Sequence, residues 1–430
     1  MNRWIKNNRM EPKIKIVLIN HSFQVRYFYR RWQLLAQKHP DLDVTLLAPA
    51  EYEWYKDKAY SYDGGKTLKG KVIDEDNFHI RLFRLDNSKS DWTSPDFEPI
   101  LKEIKPDVIY NVGTHQQLSL LQLIDIRNKC LPKTKLLAFS MRGPKHNIVL
   151  DKSPCSPVRR IKRRLVYLYQ KSLLRKVNRN CDAIFCHYPD AFDCFRKEGF
   201  KGALYMQTQV GVNEEWFHED LEARKEIRDK YNLGDAYVFG SASRFTSDKG
   251  IDDILNALPK EGNWKYLMMG TGSEEDLNRL KGLVEANGLQ DKVIMTGFVD
   301  WYDMTKYWNA VDCAIHVPHT TPKWVETFSL SVIQPQITRK PIIGNDSGSV
   351  PYQIGFKDMI VPEGDVKALS DKISWVLCNQ TEAKHIGEKM YDRVHNSFTV
   401  DHLNDLFYAT LMDILNGVYD EGKVDMAQKL

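Results

Sequence analysis

The sequence predicts an α/β protein built from two doubly wound domains, and three observations predict it. The chain has 430 residues, more than one hydrophobic core organises, so two domains of roughly 200 residues each are expected. Short apolar runs of strand length alternate with polar segments of helix length in the first half, and the alternation repeats in the second. Hydrophobic residues make up 42% and charged residues 27% of the chain, a balance that excludes disordered, collagenous and multi-span membrane classes.

In the first half the expected strands are Ile14 to Ile19, Val44 to Leu47, Ile80 to Leu85, Val108 to Asn111, Leu136 to Ser140 and Ala183 to Cys186. Strands separated by helices imply a parallel sheet with crossover helices. The second half opens on a strand at Tyr237 to Ser241. Ile251, Ile254, Leu255 and Leu258 follow at i, i+3, i+4 and i+7, one face of a helix. Lys265 to Met269 is the next strand and runs into the turn Gly270-Thr271-Gly272. Ser273 and Asp276 are placed as a capping box, Leu277, Leu280 and Val284 form a buried stripe, and Gly288 stops that helix. Further strands are expected at Val293 to Thr296, Ala314 to Val317 and Pro341 to Ile343. The boundary falls near Gly211 to Glu219, giving domains 1–212 and 213–395, with a helical segment 396–430 packing back toward the first. Ligands in such sheets bind at the carboxyl ends of the strands.

Composition narrows the chemistry. Seven cysteines, an odd number with no C-x-x-C, argue against a disulfide framework and a structural zinc site. Cys181, Cys186, His187 and Cys194 cluster, but at no common ligand spacing, so they read as buried side chains. The triplets Asp41-Leu42-Asp43 and Asp74-Glu75-Asp76 read as solvated turns in helix-to-strand connections; no metal is expected. The apolar run Ile14 to Ile19 is too short for a signal-peptide core, and no stretch approaches the ~18 apolar residues of a membrane span. A cytoplasmic protein is expected, free or held at the inner face of a membrane.

The net charge of +4 is unevenly placed. Residues 152–179 hold ten Lys or Arg and no Asp or Glu, so the rest of the chain is net acidic. Within that segment Ile161, Leu165, Leu168 and Tyr169 recur at helical spacing beneath Arg159, Arg160, Lys162, Arg163 and Arg164. Such a helix either lies on an anionic membrane or turns its apolar stripe into the core. A nucleic-acid partner is not expected.

Two constellations carry chemistry. In Gly240-Ser-Ala-Ser-Arg244-Phe-Thr-Ser-Asp-Lys249-Gly250, two cations stand between a strand's carboxyl end and a helix start, a place that favours an anion such as a diphosphate; two solvated cations on a loop are the alternative. In Trp324-Val-Glu326-Thr-Phe328-Ser329-Leu330-Ser-Val-Ile-Gln334, a carboxylate precedes an apolar helix and an amide follows eight residues on. Glu326 can accept bonds from sugar hydroxyls, and Gln334 can donate and accept; a helix-capping Glu with a surface Gln is the alternative there.

From these residues, the stretch from Gly211 to Leu377 resembles the donor domain of retaining family 4 glycosyltransferases of the GT-B fold. Gly211-Val212-Asn213 through Phe217 resembles the linker motif G-V-D-x-x-x-F, and Ser243-Arg244 through Lys249-Gly250 resembles G-R-x-x-x-x-K-G. The turn Gly270-Thr-Gly272, then Gly297-Phe-Val299, match the next landmarks. Glu326 to Gln334 occupies E-x7-E, and Asn345-Asp-Ser347-Gly348-Ser-Val-Pro351 resembles the loop after it. The resemblance implies two Rossmann-like domains facing across a cleft and a metal-independent transferase with no cofactor. It would move a sugar from a nucleoside-diphosphate sugar to a saccharide or lipid-linked acceptor, in cell-surface polysaccharide or glycolipid synthesis. It implies that Arg244 and Lys249 hold the diphosphate, that the main chain near Val299 faces the base, and that Glu326 with the amides of Phe328, Ser329 and Leu330 contacts the sugar. Glu326, Arg244 and Lys249 are thus the expected catalytic group.

Gln334 stands where the family has a ribose-binding Glu, and Ser329 where it has Gly. In the first domain the Gly-rich loop is replaced by Asn20-His21-Ser22-Phe23. The strand ending at Ser140 is followed by Met141-Arg142-Gly143 instead of a His, leaving Arg142, His115 and His146 as acceptor-side candidates. These departures keep open a catalytically weakened partner subunit of the same fold, and a sugar-nucleotide epimerase of similar shape is a further rival.

Overall fold

The computed structural model describes residues 13–52, 68–86, 92–114, 118–141, 156–187, 189–322 and 324–419. Two sheets organise them. The first holds β1 (Ile14–Ile19), β2 (Leu42–Pro49), β5 (Ile73–Glu75), β6 (Phe78–Phe83), β7 (Val108–Thr114), β8 (Lys135–Ser140), β9 (Ala183–Cys186) and β10 (Ala203–Met206), in the order β10-β9-β8-β7-β1-β2-β6-β5. Only the β5–β6 pair is antiparallel within it. Two short strands, β3 (Glu51–Tyr52) and β4 (Leu68–Lys69), pair separately. The second sheet is all parallel: β11 (Tyr237–Ala242), β12 (Trp264–Met269), β13 (Val293–Gly297), β14 (Cys313–His316), β15 (Ile342–Asn345) and β16 (Ile360–Val361), in the order β13-β12-β11-β14-β15-β16. Each sheet reverses its strand order at a switch point beside its first strand, where a crevice opens at the carboxyl ends.

The local rules operate as read. Ser273 Oγ accepts from the Asp276 amide at 3.1 Å while Asp276 accepts from the Ser273 amide at 3.3 Å, closing the capping box of helix Glu274–Ala286. Ile251, Ile254 and Leu255 are buried in the second core. The D-x-D reading needs correction: Asp43 lies inside β2 and Asp74 inside β5, and both meet the ring of His79, at 3.3 Å and 2.6 Å. They flank one histidine ring on neighbouring strands, and among the described residues no cluster of metal-ligand type occurs.

Two chain segments cross between the sheets. The amide of Val212 donates to the Phe398 carbonyl and the amide of Val400 to the Val212 carbonyl, both at 2.9 Å. Beyond this crossing the helix Val400–Asn416 returns to the first sheet, where Phe407, Leu411 and Ile414 join the core with Trp32 and Tyr110. Buried Arg31, on helix Arg26–Lys38, ties the crossing together: it donates to the carbonyls of Thr208 and Leu403 and to Asn404 Oδ1.

Candidate functional site

A cleft of about 640 Å³ runs between the carboxyl ends of the two sheets. Its second-domain wall is built from strand ends. After β11 the chain passes Ser243 and Arg244, makes one 3-10 turn over Ser247–Lys249 and enters helix Ile251–Ala257 through Gly250. Gly250 has φ 67°, and a Cβ there would stand 1.9 Å from the Val317 carbonyl oxygen. Only glycine permits that approach, and the turn it allows swings Lys249 into the cleft. Arg244 is exposed on the same wall.

Lys249 meets Glu326 there. Its Nζ lies 3.5 Å from Glu326 Oε2, 3.6 Å from Asp248 Oδ2 and 3.7 Å from the centre of the Trp324 ring. Glu326 is held from behind: the amide of Ser349 donates to its carbonyl at 2.9 Å, and the loop behind it turns at Gly348, φ 52°. On its open side, Glu326 Oε2 is also 3.5 Å from His316 Nε2, at the end of β14. Burial alone pushes the Glu326 carboxyl up, but the His316 contact and the Lys249 charge outweigh it and hold the group below the usual carboxylate range. Glu326 is an ionised acceptor in a mostly water-excluded wall.

Phe328, Ser329, Leu330 and Val299 also line the cleft. The Ser329 amide already donates to Gln353 Oε1 at 2.8 Å, so of the three amides expected to face a ligand this one is engaged. Gln334 lies in helix Leu330–Ile337 and is buried, not a surface amide. Its Oε1 accepts from Trp308 Nε1 at 3.2 Å, and its Nε2 donates to the Tyr27 hydroxyl, on the first domain, at 3.3 Å. Tyr27 in turn packs against Trp216 and Trp301, and Trp301, Phe298 and Phe28 give this end of the cleft an aromatic lining.

Arg142, His115 and His146 lie outside the described residues. Among the described residues of the first-domain wall, the cleft is lined by His21, just after β1, and by His187, at the end of β9 next to β8. His187 is 4% exposed, and neither ring nitrogen has a hydrogen-bond partner among the described residues. Its ring stacks on Phe328 across the cleft at 5.6 Å and meets Phe139 edge-on at 5.0 Å. Burial pushes it down to about 3, with Glu326 pulling the other way. His187 is therefore a neutral ring able to donate through one nitrogen and accept through the other. Sequence reasoning grouped it with Cys181, Cys186 and Cys194; the only signal for a cleft role was its place one residue beyond an apolar strand. His316 fell inside the expected strand Ala314 to Val317 and Trp324 inside the quoted motif, and no sequence signal singled out either.

The second domain and the overall fold have counterparts among known proteins. Residues 223–393 match the family described as "Glycosyl transferases group 1". The chain is 24% identical over 255 residues to the GDP-mannose-dependent alpha-(1-6)-phosphatidylinositol monomannoside mannosyltransferase of Mycobacterium tuberculosis, across 57% of this chain and 65% of that one. It is 25% identical over 173 residues to the O-antigen biosynthesis glycosyltransferase WclY of Escherichia coli, across 40% of this chain and 46% of that one. The matched stretches thus span about half to two thirds of these relatives. Among solved structures, the sucrose-phosphate synthase of Thermosynechococcus elongatus superposes over 94% of this chain and 100% of that one, with a TM-score of 0.67 at 17% identity. Anabaena HepE in complex with UDP and glucose superposes over 93% and 100%, with a TM-score of 0.64 at 14% identity. Residues 223–393, in the second domain, thus match the group 1 glycosyl transferases, and the chain as a whole has the GT-B architecture.

Proposed function

We propose that the chain is a retaining, metal-independent glycosyltransferase that moves a sugar from a nucleoside-diphosphate donor to a hydroxyl acceptor, in polysaccharide or glycolipid synthesis. The observation that carries the reading is the wall in which Lys249 Nζ stands 3.5 Å from the ionised Glu326 and shares the cleft with Arg244. In this reading Arg244 and Lys249 receive the diphosphate, and Glu326 accepts hydrogen bonds from hydroxyls of the transferred sugar. The amides of Phe328 and Leu330 complete that contact. As the bond from the anomeric carbon to the diphosphate oxygen breaks, negative charge grows on that oxygen, and two cations already in place stabilise it without reorganisation. The acceptor oxygen bonds to the same face of the anomeric carbon, and its proton passes to the departing diphosphate. The main chain at Val299 and the aromatic rings of Phe298 and Trp301 provide the surface for the base. The phosphatidylinositol monomannoside and the O-antigen named for two relatives support the acceptor class.

The partner-subunit reading has one observation in its favour: both halves of the Gln334 amide are engaged, by Trp308 and Tyr27. A thermal-shift panel of nucleoside diphosphates and their sugars separates the two. A bound ligand at 100 times its dissociation constant adds about 2.7 kcal/mol of stability, so one base should raise the melting temperature clearly. If no nucleoside diphosphate does so, the donor site is wrong; if one does but no sugar reaches water or acceptor, the chain is a binding subunit.

A further inference from the structure

The helix Pro157–Asn180 has 24 residues, about 36 Å at 1.5 Å per residue. The strands it joins, β8 with six residues and β9 with four, span about 20 Å and 13 Å. β8 and β9 are parallel neighbours, so the connecting helix returns from their carboxyl edge to their amino edge. Its last turns are anchored, with Leu174 and Val177 buried. Its amino-terminal half therefore extends past the carboxyl edge, on the side where His187 and the cleft open.

That half is unusually dressed. Val158, Ile161, Leu165, Val166, Leu168 and Tyr169 are between 47% and 78% exposed. At about 100° per residue, Val158, Ile161, Leu165, Leu168 and Tyr169 fall in one arc of roughly 100°. Half-buried Arg163 and Tyr167 and buried Leu174 and Val177 lie on the opposite side. The apolar stripe thus points away from the protein body, contrary to the alternative in which it joins the core. Lys162 and Arg164 flank the stripe on either side, Arg159 and Arg160 follow, and the helix carries no carboxylate.

We propose that this stripe docks the protein on an anionic lipid bilayer. Two features select the occupant together. A second copy of the chain would bring two rows of cations face to face, and a nucleic acid would meet the cations while leaving the apolar stripe in water. A bilayer surface takes both, with the apolar side chains at the acyl boundary and the cations level with the phosphates. Among the described residues no helix is long and apolar enough to cross a membrane, so attachment is to the surface and reversible. Docking through the protruding half turns the cleft edge of the first sheet toward the lipid. That orientation, resting on the transfer proposed above, makes a lipid-linked hydroxyl the acceptor class within reach.

The test is flotation of the full chain with phosphatidylcholine vesicles and with vesicles containing phosphatidylglycerol. At low salt the protein should float with the anionic vesicles at least 10-fold more than with neutral ones. It should be released at about 1 M salt, where the screening length falls to about 3 Å. Two sets of variants separate the contributions: R159Q/R160Q/K162Q/R164Q and I161S/L165S/L168S should each reduce flotation 10-fold or more, because these exposed side chains hold nothing else together. Equal flotation on neutral vesicles, no loss for the serine variant, or a wild-type dimer that the serine variant dissociates overturns the proposal. Transfer to a soluble acceptor is measured on the same variants: its absence in the wild-type protein would count against the transferase reading and leave the docking result standing.

Discussion

The hydroxyl of Tyr27, on the first helix of the first domain, accepts a hydrogen bond from Nε2 of Gln334, in the second domain, at 3.3 Å. The same amide's oxygen accepts from Trp308 Nε1, so a ribose reaching Gln334 has to compete with Tyr27. Tyr27→Phe removes that competitor while keeping the ring packed on Trp216 and Trp301. The expected result is nucleoside-diphosphate binding tightened up to about 5-fold, near the 1 kcal/mol of one neutral hydrogen bond. Gln334→Ala should weaken it by about 1 to 2 kcal/mol. Calorimetric titration of both variants decides; unchanged affinity in both removes Gln334 from the nucleotide site.

Arg244 and Lys249 should separate by stability rather than by rate. Replacing either with Ala should lower transfer by about 10²-fold or more, the scale for losing one group that stabilises developing charge. Arg244 is exposed, so Arg244→Ala should lower the melting temperature less than Lys249→Ala does. Lys249 is the cation beside buried Glu326, with 10% exposure on each side chain. Lys249→Ala should therefore cost about 1 to 3 kcal/mol, the penalty for a buried group left short of a partner. Glu326→Gln keeps the shape and removes the charge; transfer should vanish while nucleoside diphosphate still binds. Wild-type turnover in a well-folded Glu326→Gln protein places the sugar contact elsewhere.

His187 and His21 make stability fall on acidification. Burial lowers His187 to about 3 and His21 to about 4, against 6.5 for an exposed ring. Between those values the unfolded chain binds protons that the folded chain refuses, so stability is full above pH 6.5 and declines as pH drops toward 4. The slope is up to about 1.4 kcal/mol per pH unit for each ring. Denaturation midpoints measured from pH 7 to pH 4 should show this loss, and His187→Gln, which does not titrate, should flatten it. A parallel loss in His187→Gln assigns the acid sensitivity to other groups.

Much of this was legible in the sequence, and the limits have physical causes. β1 and β9 fall on the predicted residues because unbroken apolar runs buried on both faces are strong signals. β10, Ala203–Met206, was missed although it is as short and as apolar as β9, since nothing within so short a run separates strand from helix. Arg244, Lys249, Glu326 and Gln334 were found through local motifs, and the cleft brings all four together. His187 was not, because its contact with Phe328 joins segments far apart in the chain, and His316 was not, because it fell inside an expected strand. The basic helix was recognised, but periodicity alone does not say which way a stripe points, and here the body of the protein occupies the opposite face. Gln334 lines the cleft, and its bond to Tyr27 was not foreseen, since no local signal announces a partner 307 residues away.

Gly348 offers a test of how Glu326 is held. With φ 52°, a Cβ at this position would stand 2.1 Å from the Glu326 carbonyl oxygen and 2.8 Å from a Val325 methyl group. The first of these is backbone, so Gly348→Ala can be accommodated only by moving the segment that presents the carboxylate. The left-handed conformation itself adds about 1 kcal/mol against a side chain. Such a shift also threatens the Ser349 amide bond to the Glu326 carbonyl. If Glu326 contacts the sugar as proposed, displacing its carboxylate by about 1 Å is enough to lose on the order of 10²-fold in rate. The variant should therefore fold with a lowered melting temperature, retain nucleoside-diphosphate binding through Arg244 and Lys249, and lose transfer nearly as far as Glu326→Gln does. Combining the two substitutions should add little, because both remove the same contact. Additive losses in the double variant would show that Gly348 acts on the site through some route other than Glu326.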